Sequence, residues 1–244
     1  MAKMEGNLSS GGGENGDHER QPLQKLKNWF SQGLYISEDN KCNVQIDLET
    51  SARPDAGFLI LALLSCAIAT FGLINDSPAV IIGAMLVGPL MTPILSAAMA
   101  YCTGRYKIIL QSLITIGIGI GVVLAFSAIL SLLLYRLPHG ADIKYSGEVM
   151  AHMSPSLIDL LIALAAGSAA AFAMAHTRFS AALPGAAIAI TLVPAICTAG
   201  IGISFLNPAI ILGAGLLFVV NLAGIFFAAV LPFTILGFRP DQAE

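Results

Sequence analysis

Two long apolar runs carry residues that could do chemistry at membrane depth. Gly88-Pro89-Leu90-Met91-Thr92-Pro93 lies in one and Thr191-Leu192-Val193-Pro194-Ala195 in the other. Proline has no N–H, and its ring displaces the carbonyl one turn back, so a helix through either run must leave carbonyl oxygens without partners. In hydrocarbon those oxygens need a hydroxyl, a neighbouring helix, water or a solute. The chemistry on offer is coordination of a small solute or ion by backbone carbonyls from Gly88 to Pro93 and from Leu192 to Ala195. Hydroxyls of Thr92 and Thr191 and the amide of Asn221 would supplement them. Proline kinks can equally serve bundle geometry, so the matched pair is either a solute site or the pivot of the bundle.

Other chemistries find little support. His18, His139, His152 and His176 fall in the tail, the loops or the span ends, and neither HExxH nor a Ser/His/Asp arrangement occurs. No enzyme activity, cofactor or bound metal is expected. Cys42, Cys66, Cys102 and Cys197 lack CxxC spacing and read as ordinary packed thiols. A net charge of −3 with no basic, aromatic-studded stripe gives no case for nucleic acid. Gly117, Gly119 and Gly121 point to close helix contact rather than phosphate binding, and Gly117 and Gly121 have GxxxG spacing. With the run AAGSAAA at 165–171, they predict a homo-oligomer. Gln111 and Asn221 would join helices through their amides or touch solute. Asp76 and Asp159 either cap helices or, with Asp142 and Glu148 against Arg136 and Lys144, line a weakly acidic outer vestibule.

These residues must be positioned by helices in lipid. Only 11% of the chain is charged and 56% is hydrophobic, with a mean hydropathy of +0.80. A soluble domain carries about a quarter charged residues. Stretches of span length occur at 57–74, 78–101, 108–135, 157–175, 181–204 and 208–236. Counting Lys41, Arg53, Arg105, Lys107, Arg178 and Arg239 against Arg136 and Lys144 puts both termini inside. Residues 1–21, Gly-rich and charged, predict a disordered tail with no cleavable signal peptide. Over 22–56, Leu23, Leu26 and Phe30 share a helical face, which suits a helix lying on the inner surface or packing on the membrane domain. NVQID at 43–47 alternates but is too short for a sheet domain. Residues 238–244 form a short inner tail.

Displaced by 102 positions, VIIGAMLVGPLMTPILSA falls on ALPGAAIAITLVPAICTA, and Gly83, Ala84, Leu90, Ile94 and Ala97 meet Gly185, Ala186, Leu192, Ile196 and Ala199. Each half then holds three spans, an odd number, so the second half enters from the opposite face, a plan found in transporters. Pro89 lies about 16 Å along a helix from Pro78 and Pro194 about 15 Å from Pro184, each near half the hydrocarbon thickness. The second and fifth spans should therefore both break at mid-depth.

The stretches GFLILALLSCAIATFGLINDSPAVIIGAMLVGPLMTPI and SAALPGAAIAITLVPAICTAGI resemble the prokaryotic membrane family known as domain of unknown function 389, over roughly residues 53 to 237. The pattern N-x-S-x-A-V-x-I-G-A-M-L-x-x-P-L-M-x-P-I carries the likeness. In the second motif, similar to L-P-G-x-A-I-A-x-x-L-x-P-P, Ala195 stands where the resemblance implies a second proline, a departure that leaves the sharpness of the bend in the fifth span open. Some relatives carry a larger soluble domain, for which the N-terminal stretch here is short. The resemblance implies a polytopic fold and no activity. The expectation is an all-α, six-span inner-membrane protein of two inverted halves that passes a small solute or ion. The alternative is a scaffold in the lipid bilayer that recruits partners through its N-terminal tail.

Overall fold

The structure, a computed structural model, describes Ile36 and residues 38–136, 146–176 and 192–240. The chain divides into residues 1–37 and residues 38–244, and every described helix belongs to the second unit. The expected disordered tail and surface helix fall outside the described residues, as do Thr191, Arg178, Asp142 and Lys144.

No strand occurs among the described residues. The helices are α1 (Glu38–Ser51), α2 (Ala56–Ile74), α3 (Pro78–Val87), α4 (Met91–Cys102), α5 (Tyr106–Tyr135), the short α6 (Gly147–Ala151), α7 (Leu157–Ala175), α8 (Leu192–Ser204) and α9 (Pro208–Ile235). Helices α2, α5, α7 and α9 are long and apolar enough to cross a membrane, and α3 with α4 makes a fifth crossing if the bent pair counts as one. Of the span expected over 181–204, only the 13 residues of α8 are described. Helix α1 was not anticipated: NVQID alternates, yet it lies within a helix in which Val44 and Leu48, one turn apart, are buried together.

Local chemistry explains the ends. Asp55 caps α2 by accepting from the Phe58 N–H at 2.7 Å. Pro78 and Pro208 begin α3 and α9, where a missing N–H costs nothing. The turn after α8 closes with the Asn207 N–H donating to the Gly202 carbonyl at 2.9 Å, which forces Leu206 to φ 51°. Only glycine takes that conformation without steric cost. Since the Leu206 side chain is 84% exposed, Leu206→Gly should stabilise the protein by about 0.5–1 kcal/mol, read as a raised melting temperature in detergent.

The packing is that of a membrane bundle. Alanines such as Ala62, Ala69, Ala98, Ala166 and Ala170 fill the interior, letting backbones approach. Large apolar side chains, among them Leu133, Leu157, Leu212 and Phe227, face outward, as on a surface that meets lipid or another apolar partner. Contacts fix the relative directions of the helices. Phe58 meets Gly119 and Cys66 meets Val123, so α2 and α5 run the same way. Leu90 meets Gly119 while Ser96 meets Ser112, so α4 runs against α5. Gly200 meets Leu124 and Ser204 meets Ala128, so α8 runs with α5. Ala163 meets Gly224 and Ser168 meets Ala228, so α7 and α9 are parallel, as α2 and α5 are.

Candidate functional site

The break expected in the second span exists and has a simple cause. The residue before a proline is pushed out of helical backbone, and Gly88 leaves α3 at φ −67°, ψ 122°. Pro89 and Leu90 turn, α4 starts at Met91, and the two axes differ by 50°. Pro93, expected to contribute to the break, instead sits in the first turn of α4, a position proline tolerates because the first N–H groups of a helix have no partner.

The break lies halfway along α2. A Cβ at Gly88 would come 3.1 Å from Ser65 Oγ and 2.8 Å from Val193 Cγ2, and Ser65 is the middle residue of α2. Ser65 Oγ donates at 2.7 Å to the Ala84 carbonyl, which also accepts from the Gly88 N–H at 3.1 Å. The two proline-bearing segments therefore touch, Gly88 against Val193. From the break a cavity of about 290 Å³ reaches the α1–α2 junction, lined by Thr50, Arg53, Asp55, Pro89, Thr92 and Pro93 among others. Three of the proposed solute-contacting residues thus share one polar-mouthed space.

The second-half residues behave differently. Leu192 and Ala195 are buried and, with Pro194, lie in regular helix at the first described residues of α8. Their carbonyls belong to a helix rather than to a break, which corrects the expectation that Leu192 to Ala195 supply freed oxygens. Any interruption of this span lies before Leu192, outside the described residues. Asn221 is buried in the middle of α9 and does not line the cavity. The two acids of the expected vestibule each hold local structure at the opposite end of the bundle. Asp76 accepts from the Glu148 N–H at 2.7 Å and from Ser146 Oγ at 3.3 Å, which ties the α2–α3 turn to α6. Asp159 and Ser156 form a reciprocal capping box at the start of α7.

Sequence reasoning missed a buried polar seam beside the break. Ser65, Cys66 and Thr70 on α2, Ser127 on α5, and Cys197 and Thr198 on α8 are all fully buried. The Sγ atoms of Cys66 and Cys197 lie 3.6 Å apart, and Cys66 Sγ also donates to the Val123 carbonyl at 3.4 Å. Thr198 Oγ1 has no hydrogen-bond partner among the described residues. The spacing of 65, 66 and 70 marks one helical face in the sequence, but nothing there pairs it with residues 197 and 198. Gly119 packs against Leu90 and Phe58, whereas a Cβ at Gly117 or Gly121 would meet open space.

The family described as Domain of unknown function (DUF389) matches residues 85–227. Uncharacterized protein MJ0678 of Methanocaldococcus jannaschii is 27% identical over 200 residues, an alignment that covers 81% of this chain and 59% of that relative's length. No solved structure matches the chain.

Proposed function

The chain belongs to the DUF389 family, and because membership names no activity, we propose from the geometry that it is a membrane protein passing a small solute or ion. The observation that carries this proposal is the break at Gly88–Leu90, set at the midpoint of α2 and opening through Pro89, Thr92 and Pro93 into a cavity. A backbone interrupted at that depth is tolerated where it is buried in protein or lines a water-filled space. Among the described residues, the helices long enough to cross carry neither Asp nor Glu beyond the first turn of α7. This argues against tight binding of a multivalent cation in the deep core and against strong proton coupling.

The proposal includes six spans in two inverted halves, assembled as a homo-oligomer. Supporting the inversion, a displacement of 102 residues carries the end of α4 and the start of α5 onto the end of α8 and the start of α9. Helices α4 and α8, matched in this way, run opposite and along α5 respectively. Both termini are proposed to be cytoplasmic in a prokaryotic inner membrane. In support, Lys41, Arg105 and Arg239 gather at the α1 end, as expected where basic residues stay inside. No enzymatic role is part of the proposal.

Purified protein in liposomes, screened against monovalent ions and small neutral and anionic solutes at both voltage polarities, tests it. Flux is expected, and Thr92→Trp, which fills the cavity, should cut that flux by more than about tenfold, the scale of losing 1.4 kcal/mol of favourable interaction. An unchanged size-exclusion profile shows that the fold survives. Vesicles that stay tight to the whole screen reject transport. The contact of Gly88 with Val193 Cγ2 favours a second proposal, a sealed scaffold, which predicts that tight outcome.

A further inference from the structure

Beside the break, two thiols from different helices face each other. Cys66 of α2 and Cys197 of α8 are fully buried, and their Sγ atoms lie 3.6 Å apart. The two stand 131 positions apart in the chain, so no short cysteine spacing announces the pair. Packing holds them together. A Cβ at Gly200 would collide with Ser127 Oγ of α5, so glycine there lets α8 settle against the bundle, with Cys197 nearly one turn earlier facing α2.

Oxygen atoms surround the sulfurs. Cys66 Sγ lies 3.4 Å from the Val123 carbonyl and 3.9 Å from Thr70 Oγ1, and Cys197 Sγ lies 3.8 Å from the Cys66 carbonyl. An approach exists as well. The pair stands one residue along α2 from Ser65 and one turn along α8 from Val193, the two side chains that meet Gly88. Pro89, the next residue, already lines the cavity at the break.

The donors narrow the choice of ion. Sulfur is soft and selects soft ions such as Cu+. Zinc closes a structural site with four ligands, whereas two sulfurs meet here, a set that suits an ion content with two. Charge sorts the candidates in the same direction, because uncompensated charge in a dry core is expensive. A singly charged ion that displaces one thiol proton leaves the site as neutral as the two S–H groups were.

We propose that Cys66 and Cys197 form a binding site for one soft monovalent cation, of the class of Cu+ and Ag+. The ion bonds to both sulfurs. One S–H bond breaks and its proton passes to bulk water, as metal binding to thiols requires; the other sulfur binds through a lone pair and keeps its hydrogen. No electron is transferred. Two bonds of about 2.3 Å, the zinc–thiolate length, span at most about 4.6 Å, so the sulfurs must part from their present 3.6 Å, which rotation of both side chains can supply. The proposal rests on the packing of α2 against α8 and stands apart from transport, since its readout is binding.

Full-length protein carrying Cys42→Ser and Cys102→Ser, in detergent, is titrated with Ag+ and weighed by native mass spectrometry. One Ag+ per chain is expected, with the mass of one proton lost. Adding Cys66→Ser or Cys197→Ser should weaken binding at least a hundredfold, beyond the roughly 10–100-fold cost of losing an outer-shell partner. A size-exclusion profile matching the parent shows that these variants fold. A second measurement needs neither variant: Ag+ should raise the melting temperature of the parent, and Zn2+ at the same concentration should not. A parent that retains no Ag+, or two per chain, overturns the site. So does binding that either serine leaves within tenfold of the parent, or an equal response to Zn2+.

Discussion

Replacing Gly167 with leucine should cost about 3 kcal/mol or more, at or beyond the upper end of overpacking penalties, and leave little monodisperse protein. Helices α7 and α9 approach so closely here that a Cβ at Gly167 would stand 2.8 Å from both the Cα and the carbonyl oxygen of Ile225. A side-chain neighbour could rotate aside; a backbone neighbour cannot, so the helices must separate. Separation would also pull Ser168 Oγ from the Ala228 carbonyl, 3.2 Å away, and expose Ala166 and Ala170. The control is Gly215→Leu. A Cβ there meets nothing within 4 Å, so the change should fall within about 0.5 kcal/mol. Melting temperature and size-exclusion recovery in the same detergent measure both. Equal tolerance of the two leucines would mean that α7 and α9 do not pack as described.

The contrast between these glycines shows where the sequence was informative. Apolar length located α2, α5, α7 and α9 to within two residues, because hydrocarbon thickness leaves little choice of span length. Pro89 disclosed its break because the cause is local: a missing N–H and a clash with the neighbouring backbone act wherever the chain goes. Pro93 carries the same covalent signal, yet it lands in the first turn of a helix. The outcome depends on where the preceding turn ends, which one residue cannot announce. Glycine spacing is ambiguous for a related reason. GxxxG in α5 defines a small face but not its partner, and packing instead selected Gly119, between Gly117 and Gly121, to receive Leu90 and Phe58. Helix α1 escaped notice because its two buried residues, Val44 and Leu48, sit in an otherwise polar segment. The cavity at the break and the seam at Ser65, Cys66 and Cys197 depend on tertiary pairing across the chain, and no local pattern encodes that.

On a background of Cys42→Ser and Cys102→Ser, a membrane-permeant diazene oxidant such as diamide should join Cys66 to Cys197 in most molecules. The two thiols lose two hydrogens and two electrons to the diazene, which becomes a hydrazine, and the S–S bond forms within one chain. The sulfurs start 3.6 Å apart and must reach about 2.05 Å, a shift that side-chain rotation at two neighbouring positions can provide. Burial of both thiols makes the reaction slow, so the measurement follows hours of exposure. It reads loss of about 2 Da, the mass of the two hydrogens removed, together with loss of alkylation at both cysteines after denaturation. The bond would close a loop across 131 residues, and chain-entropy arguments give such a cross-link about 4–5 kcal/mol against unfolding. The oxidised protein should therefore melt well above the reduced form, and dithiothreitol should abolish the difference. The cross-link also bears on movement. Cys66 adjoins Ser65, which touches Gly88, and Cys197 lies one turn beyond Val193, so a bond here rivets α2 to α8 directly beside the break. If passage of solute requires these helices to part, oxidation should stop flux without unfolding the bundle; if the break is a fixed pore, flux should persist. Two cysteines that both remain open to alkylation would show that α2 and α8 do not meet at mid-depth, and the proposed conduit would lose its second wall.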